Sequence, residues 1–90
     1  MKTFVLDFTG LENKYQLHDY LRETLSLPDY YGHNLDALWD CLDRQFSEPT
    51  AFILKNTESV PPLLLRQMSG LKKLFSDLQE QNPEVTVMYE

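Results

Sequence analysis

The 90 residues carry 14 Asp and Glu against 8 Lys and Arg, a net charge of −6 with a pI near 4.7, a poor match to nucleic acid, whose phosphates are met by clustered Lys and Arg. At 42% hydrophobic content, the chain suits one small domain over residues 1–90, large enough for one core and too small for two. No apolar run approaches the roughly 20 residues of a membrane-spanning helix, Asp7 interrupts the apolar start, and Cys41 has no second cysteine to pair with; the expectation is a cytoplasmic protein with no membrane contact.

The first predicted element is a strand at residues 3–8, TFVLDF, short, aromatic and β-branched, bounded by Thr9 and Gly10. A helix follows, marked by Leu17, Leu21 and Leu25 recurring every fourth residue among charged neighbours, and it ends near residue 26, where Pro28 closes the run. His18 lies among those charged residues and is expected to be solvated. Of the adjacent Tyr30 and Tyr31, one ring is expected to cover the end of the sheet and the other to remain outside.

Asn34 is a favoured N-cap, and LDALWDCLD follows it without Gly or Pro. Turning about 100° per residue, Leu35, Leu38 and Leu42 fall within an arc of roughly 60°, while Asp36, Trp39, Asp40 and Asp43 occupy a different arc of roughly 100°. The leucines are expected inward, the aspartates outward and Trp39 at the border. Residues 29–48 hold Asp29, Asp36, Asp40, Asp43 and Glu48 against Arg44 alone, so −4 of the chain's −6 sits here.

Pro49 opens a second strand, TAFIL, ending at Lys55 and Asn56. Ser59, Pro61 and Pro62 then introduce a short helix, LLLRQM, and Ser69 is read as the cap of another, whose stripe is Leu71, Leu74, Phe75 and Leu78. Asn82 and Pro83 end it before the strand VTVMY. Strands separated by helices predict an α/β fold with a parallel sheet and right-handed crossovers, and strands this apolar are normally covered.

Like charges at i, i+4 cost a helix about 0.2–0.5 kcal/mol, and Asp43 near the helix end opposes its dipole. A stripe of aspartates that is locally unfavourable suggests compensation by a positively charged partner rather than a plain solvated face. A metal cage would want a Gly-containing oxygen loop or His and Cys at ligand spacing, and neither surrounds Asp36. His33 has no accompanying nucleophile motif or phosphate loop, and Cys41, with only Arg44 as a basic neighbour, gives no sign of activation. No catalytic residue, metal ligand or cofactor is therefore assigned.

At LPDYYGHNLDALWDCLD, residues 27–43, the chain resembles the barstar family of intracellular ribonuclease inhibitors. The resemblance extends to the preceding leucine-rich helix and the final strand. It implies a two-layer, three-stranded parallel sheet packed by about four helices, and an immunity function: plugging a basic, secreted, barnase-like ribonuclease with the acidic helix and the loop before it. Tyr30, Asn34, Leu35, Asp36, Trp39 and Asp40 match positions that the family uses at or beside this contact, with Asp40 standing in for a substrate phosphate. Asp43 and Asp77 fall at contact positions with changed side chains, and His33, Gln45 and Ser47 also alter the rim. The free protein is expected to be a monomer. Two rival functions remain: a barstar-like module for another basic protein, and a small metal-dependent enzyme using Asp36, Asp40 and Asp43.

Overall fold

The computed structural model describes residues 2–45 and 48–90, apart from the side chains of Arg44 and Gln45. Three strands, β1 (Lys2–Asp7), β2 (Thr50–Lys55) and β3 (Val85–Tyr89), form a parallel sheet in the order β1-β2-β3. Helices α1 (Lys14–Thr24) and α2 (Leu35–Gln45) connect the first two strands, and a 3-10 turn (Pro62–Leu64) running into α3 (Leu65–Gln81) connects the last two. This is the α/β arrangement with a three-stranded parallel sheet that the sequence predicts.

Register aligns Phe4 with Phe52 and Val87, and Leu6 with Leu54 and Tyr89. Side chains alternate across a strand, so Phe4, Leu6, Phe52, Leu54 and Val87 share the face that meets the helices. Leu6, Phe52 and Leu54 are wholly buried there, and Phe52 and Phe75 of α3 bring their ring centroids within 4.9 Å. The opposite face is not covered as the apolar strands suggested: Val5 and Met88 remain exposed on it. Ala51, at the centre of the same face, is buried.

Helix α1 starts at Asn13, whose side chain accepts from Gln16 N at 2.9 Å, and buries Leu17 and Leu21. Its end comes two residues before the expected 26. Ser26 takes a left-handed conformation (φ 55°), and Leu27 N donates to Arg22 O at 2.9 Å, a closing geometry of the Schellman kind. Chain reversal there delivers Pro28 and the loop to α2.

Two helices were expected between Ser59 and Gln81; the structure has the 3-10 turn and then one unbroken helix through Ser69 and Gly70. The buried residues Met68, Leu71, Leu74, Phe75 and Leu78 make one stripe along it. That burial outweighs the cost of a mid-helix glycine, about 1 kcal/mol relative to alanine. Gly70 also has a packing reason to be glycine, since a Cβ there would lie 2.6 Å from Leu35 Cδ1 of α2. The helix count is accordingly three rather than about four.

Candidate partner-binding site

Helix α2 is fixed from its first residue. Asn34 Oδ1 accepts from Ala37 N at 2.8 Å, Asn34 O accepts from Leu38 N at 3.0 Å, and Asn34 Nδ2 donates to Gly32 O at 3.0 Å. Asn34 thus caps the helix and ties it to the loop in front. Below this cap, Leu38 and Leu42 are fully buried and Leu35 is partly buried against the same core. Anchoring by leucines determines which side of the helix faces water.

Asp36, Asp40 and Asp43 occupy that side and are exposed. Among the described side chains no cation pairs with them: Arg22, Lys55, Lys72 and Lys73 pair instead with Asp19, Glu90, Glu58 and Asp77. Nor, among the described residues, does any group of three His, Cys, Asp or Glu side chains converge as a metal site would require. Trp39 is half-buried, with part of its ring system against the core. Cys41 is also half-buried, and its thiol is pushed up by burial and by the neighbouring Asp40 carboxylate, the reverse of an activated nucleophile.

The loop before α2 separates its two tyrosines. Tyr30 is 87% exposed, whereas Tyr31 is buried, and burial holds its phenol well above the usual tyrosine range. Asp77 lies on α3, where Lys73 Nζ donates to its Oδ2 at 3.1 Å. Ser47 and the side chain of Gln45 lie outside the described residues.

The structure overturns one expectation here. His18 is not solvated but completely buried, with Nδ1 2.5 Å from Tyr31 Oη. Burial, reinforced by the charges of His33 and Lys14, lowers its pKa to about 4, so the ring is neutral at pH 7. Its Nε2 has no hydrogen-bond partner among the described atoms. Tyr31 Oη donates its one hydrogen to Asn34 O at 3.3 Å and is left to accept from His18 Nδ1, so the buried pair joins α1 to the cap of α2.

A second histidine was not predicted to have a structural role. His33 sits in the left-handed region (φ 53°), with Nδ1 3.1 Å from Tyr31 O and Nε2 2.8 Å from Asp19 Oδ1 of α1. Together the two histidines hold the loop from both sides, and the loop presents Tyr30 and positions the first turn of α2.

Comparison with known proteins bears on this geometry. Residues 1–90 match the family model described as Barstar (barnase inhibitor). The chain belongs to the barstar family. It is also 38% identical over 81 residues, covering 90% of this chain and 89% of the relative, to a protein of Bacillus subtilis (strain 168) named "Putative ribonuclease inhibitor YrdF". Within this barstar-family fold, the capped helix α2 and the loop ahead of it form the segment that carried the resemblance in the sequence. No described helix is long and apolar enough to cross a membrane.

Proposed function

We propose that this barstar-family protein is an intracellular inhibitor of a basic, barnase-like ribonuclease and that it acts by occupying the enzyme's active site with α2 and the loop before it. The observation that carries the reading is the exposed Asp36, Asp40 and Asp43 face, which no described cation neutralises, on a helix whose leucines and cap fix its orientation. A rigid carboxylate presented in this way can take the place of a substrate phosphate among the enzyme's cationic groups, with charge-assisted hydrogen bonds replacing those to RNA.

Asp40, at the middle of the face, is assigned the phosphate position. Asp36 and Asp43 flank it, Tyr30, Leu35 and Trp39 supply contact area, and Asn34 keeps the loop and helix in register. Asp77 contributes at the edge from α3. Steric occlusion of the cleft and attraction between oppositely charged surfaces together account for inhibition; no chemistry by this chain and no cofactor is involved. The protein acts as one domain over residues 1–90, in the cytoplasm of the cell that makes the enzyme, and is a monomer until it meets the ribonuclease.

The test is a titration of RNA cleavage by barnase and related ribonucleases. Activity should fall linearly to zero at one inhibitor per enzyme. A panel left fully active at about micromolar inhibitor, roughly −8 kcal/mol of binding, removes this function, and a different basic protein recovered on the same acidic face would replace it.

A further inference from the structure

We infer that Tyr15 of α1 extends the partner surface and serves as a stacking platform for an arginine of the ribonuclease. The inference rests on the function proposed above. Tyr15 is a large aromatic side chain, 68% exposed, yet it is not loose: its ring lies on His33 with centroids 5.3 Å apart and planes inclined by 18°. His33 is in turn fixed by Tyr31 O, by Asp19 Oδ1 and by stacking on the Tyr31 ring at 5.4 Å. One face of Tyr15 is thereby partly overlapped by His33, which favours one orientation of the ring before any partner arrives. A side chain already held in place loses little freedom on binding, which is the condition under which an exposed tyrosine contributes most to an interface.

The platform is continuous with the proposed site, because His33 directly precedes Asn34, the cap of α2. Its chemistry suits a cation. Asp19 follows Tyr15 by one helical turn and therefore shares its side of α1. Every described bond to Asp19 uses Oδ1, on which both His33 and the paired Arg22, at 3.9 Å, converge, and Oδ2 takes no described bond. A planar guanidinium laid on the open face of Tyr15 meets the negative face of the ring, with the Asp19 carboxylate on the same side of α1 as the acceptor for its edge. Lysine could not combine the two contacts with the same geometry, so arginine is the side chain assigned.

Calorimetric binding of full-length variants to the barnase-like ribonuclease that the wild-type protein inhibits tests this, with Asp40→Ala as a reference and thermal midpoints as a check on folding. Tyr15→Ala should weaken binding about tenfold, the order expected for a partly desolvated cation–π contact. Tyr15→Phe should bind like wild type, and Tyr15→Leu, which keeps apolar area but has no π face, should fail as Tyr15→Ala does. Tyr15→Ala within twofold of wild type, in a protein where Asp40→Ala is severely weakened, overturns the inference and leaves the inhibitor function standing. Wild-type affinity in Tyr15→Leu overturns the arginine platform. Wild-type affinity in Asp40→Ala, or no ribonuclease bound at all, is failure of the proposed function itself, and the platform falls with it.

Discussion

His18 of α1 and Tyr31 of the loop ahead of α2 are partners across 13 residues of sequence, with Nδ1 and Oη 2.5 Å apart inside the core. Their contact makes the placement of the acidic helix depend on a buried neutral imidazole. The folded-state pKa of His18 is about 4 against an ordinary 6.5. Below pH 6.5 the unfolded chain takes up a proton that the folded chain refuses until about pH 4, so stability falls as pH drops through that window and this loss levels off beneath it.

Between pH 7 and pH 5 the wild type should lose about 2 kcal/mol through this group, while His18→Gln should not lose that share. Urea denaturation of both proteins at the two pH values measures it. Asp7, held down to about 2 chiefly by the side-chain hydrogen bond from Asn56, contributes stability that is present above its ordinary value and lost only as pH falls from there towards 2. It therefore leaves the comparison at pH 7 and 5 untouched. Equal losses in wild type and His18→Gln would mean that His18 is accessible to protons in the folded protein.

Gly70 provides a second structural test. Alanine there gains about 1 kcal/mol of helix propensity, but its Cβ would come within 2.6 Å of the terminal methyl Cδ1 of Leu35, and overpacking of a core typically costs about 1–3 kcal/mol. A terminal methyl can rotate away. The expected net change for Gly70→Ala is therefore small, within about 1 kcal/mol, accompanied by a shift of the Leu35 methyl resonances and weaker ribonuclease binding, because Leu35 belongs to the proposed contact. Destabilisation well beyond 2 kcal/mol would show that α2 and α3 cannot yield at this point.

The cap and inner face of α2 and the place of the last strand are legible in local chemistry. Asn34 caps α2 and its leucines point inward as their angular spacing requires, and β3 occupies the segment VTVMY. The charged neighbours of His18 suggest a solvated side chain, whereas its angle carries the signal of burial: residues 18 and 25 lie about 20° apart around a helix, and Leu25 is core. Ser69 has the preference of a cap, but the apolar spacing that continues from Met68 through Leu78 outweighs it and keeps the helix unbroken. The ties of His33 to Asp19 and Tyr15 leave no signal in the sequence, since they join residues on different elements that only the folded chain brings together. Of the candidate site, the sequence indicated the acidic side of α2 and omitted what holds the loop.

Association with the ribonuclease should slow steeply as salt rises, because exposed charges are screened beyond about 10 Å at 0.1 M ionic strength. Dissociation should change much less, being governed by close, desolvated contacts. Replacing Asp36 and Asp43 together by lysine should cut the on-rate and flatten its salt dependence. Stopped-flow association over a range of salt concentrations gives both quantities, and an on-rate indifferent to salt and to charge reversal would mean that the acidic side of α2 does not meet the partner.

The most direct test compares Asp40→Ala with Leu38→Ala, two residues of α2 on opposite sides of the helix, one exposed and one fully buried. Truncating a buried leucine costs about 2–5 kcal/mol of stability. Removing Asp40 relieves like-charge repulsion with Asp36 one turn away, worth a few tenths of a kcal/mol, and leaves the core intact. Alanine at an interface hot spot costs about 2 kcal/mol or more of binding, a generalisation to which the barnase–barstar pair itself contributed. Calorimetric binding to a barnase-like ribonuclease, with thermal midpoints of the same samples, should therefore show Asp40→Ala folded as well as wild type but bound at least about 30-fold more weakly, and Leu38→Ala unstable yet able to bind whenever folded. Asp40→Ala that binds within a few-fold of wild type would contradict the assignment of this carboxylate as the phosphate mimic.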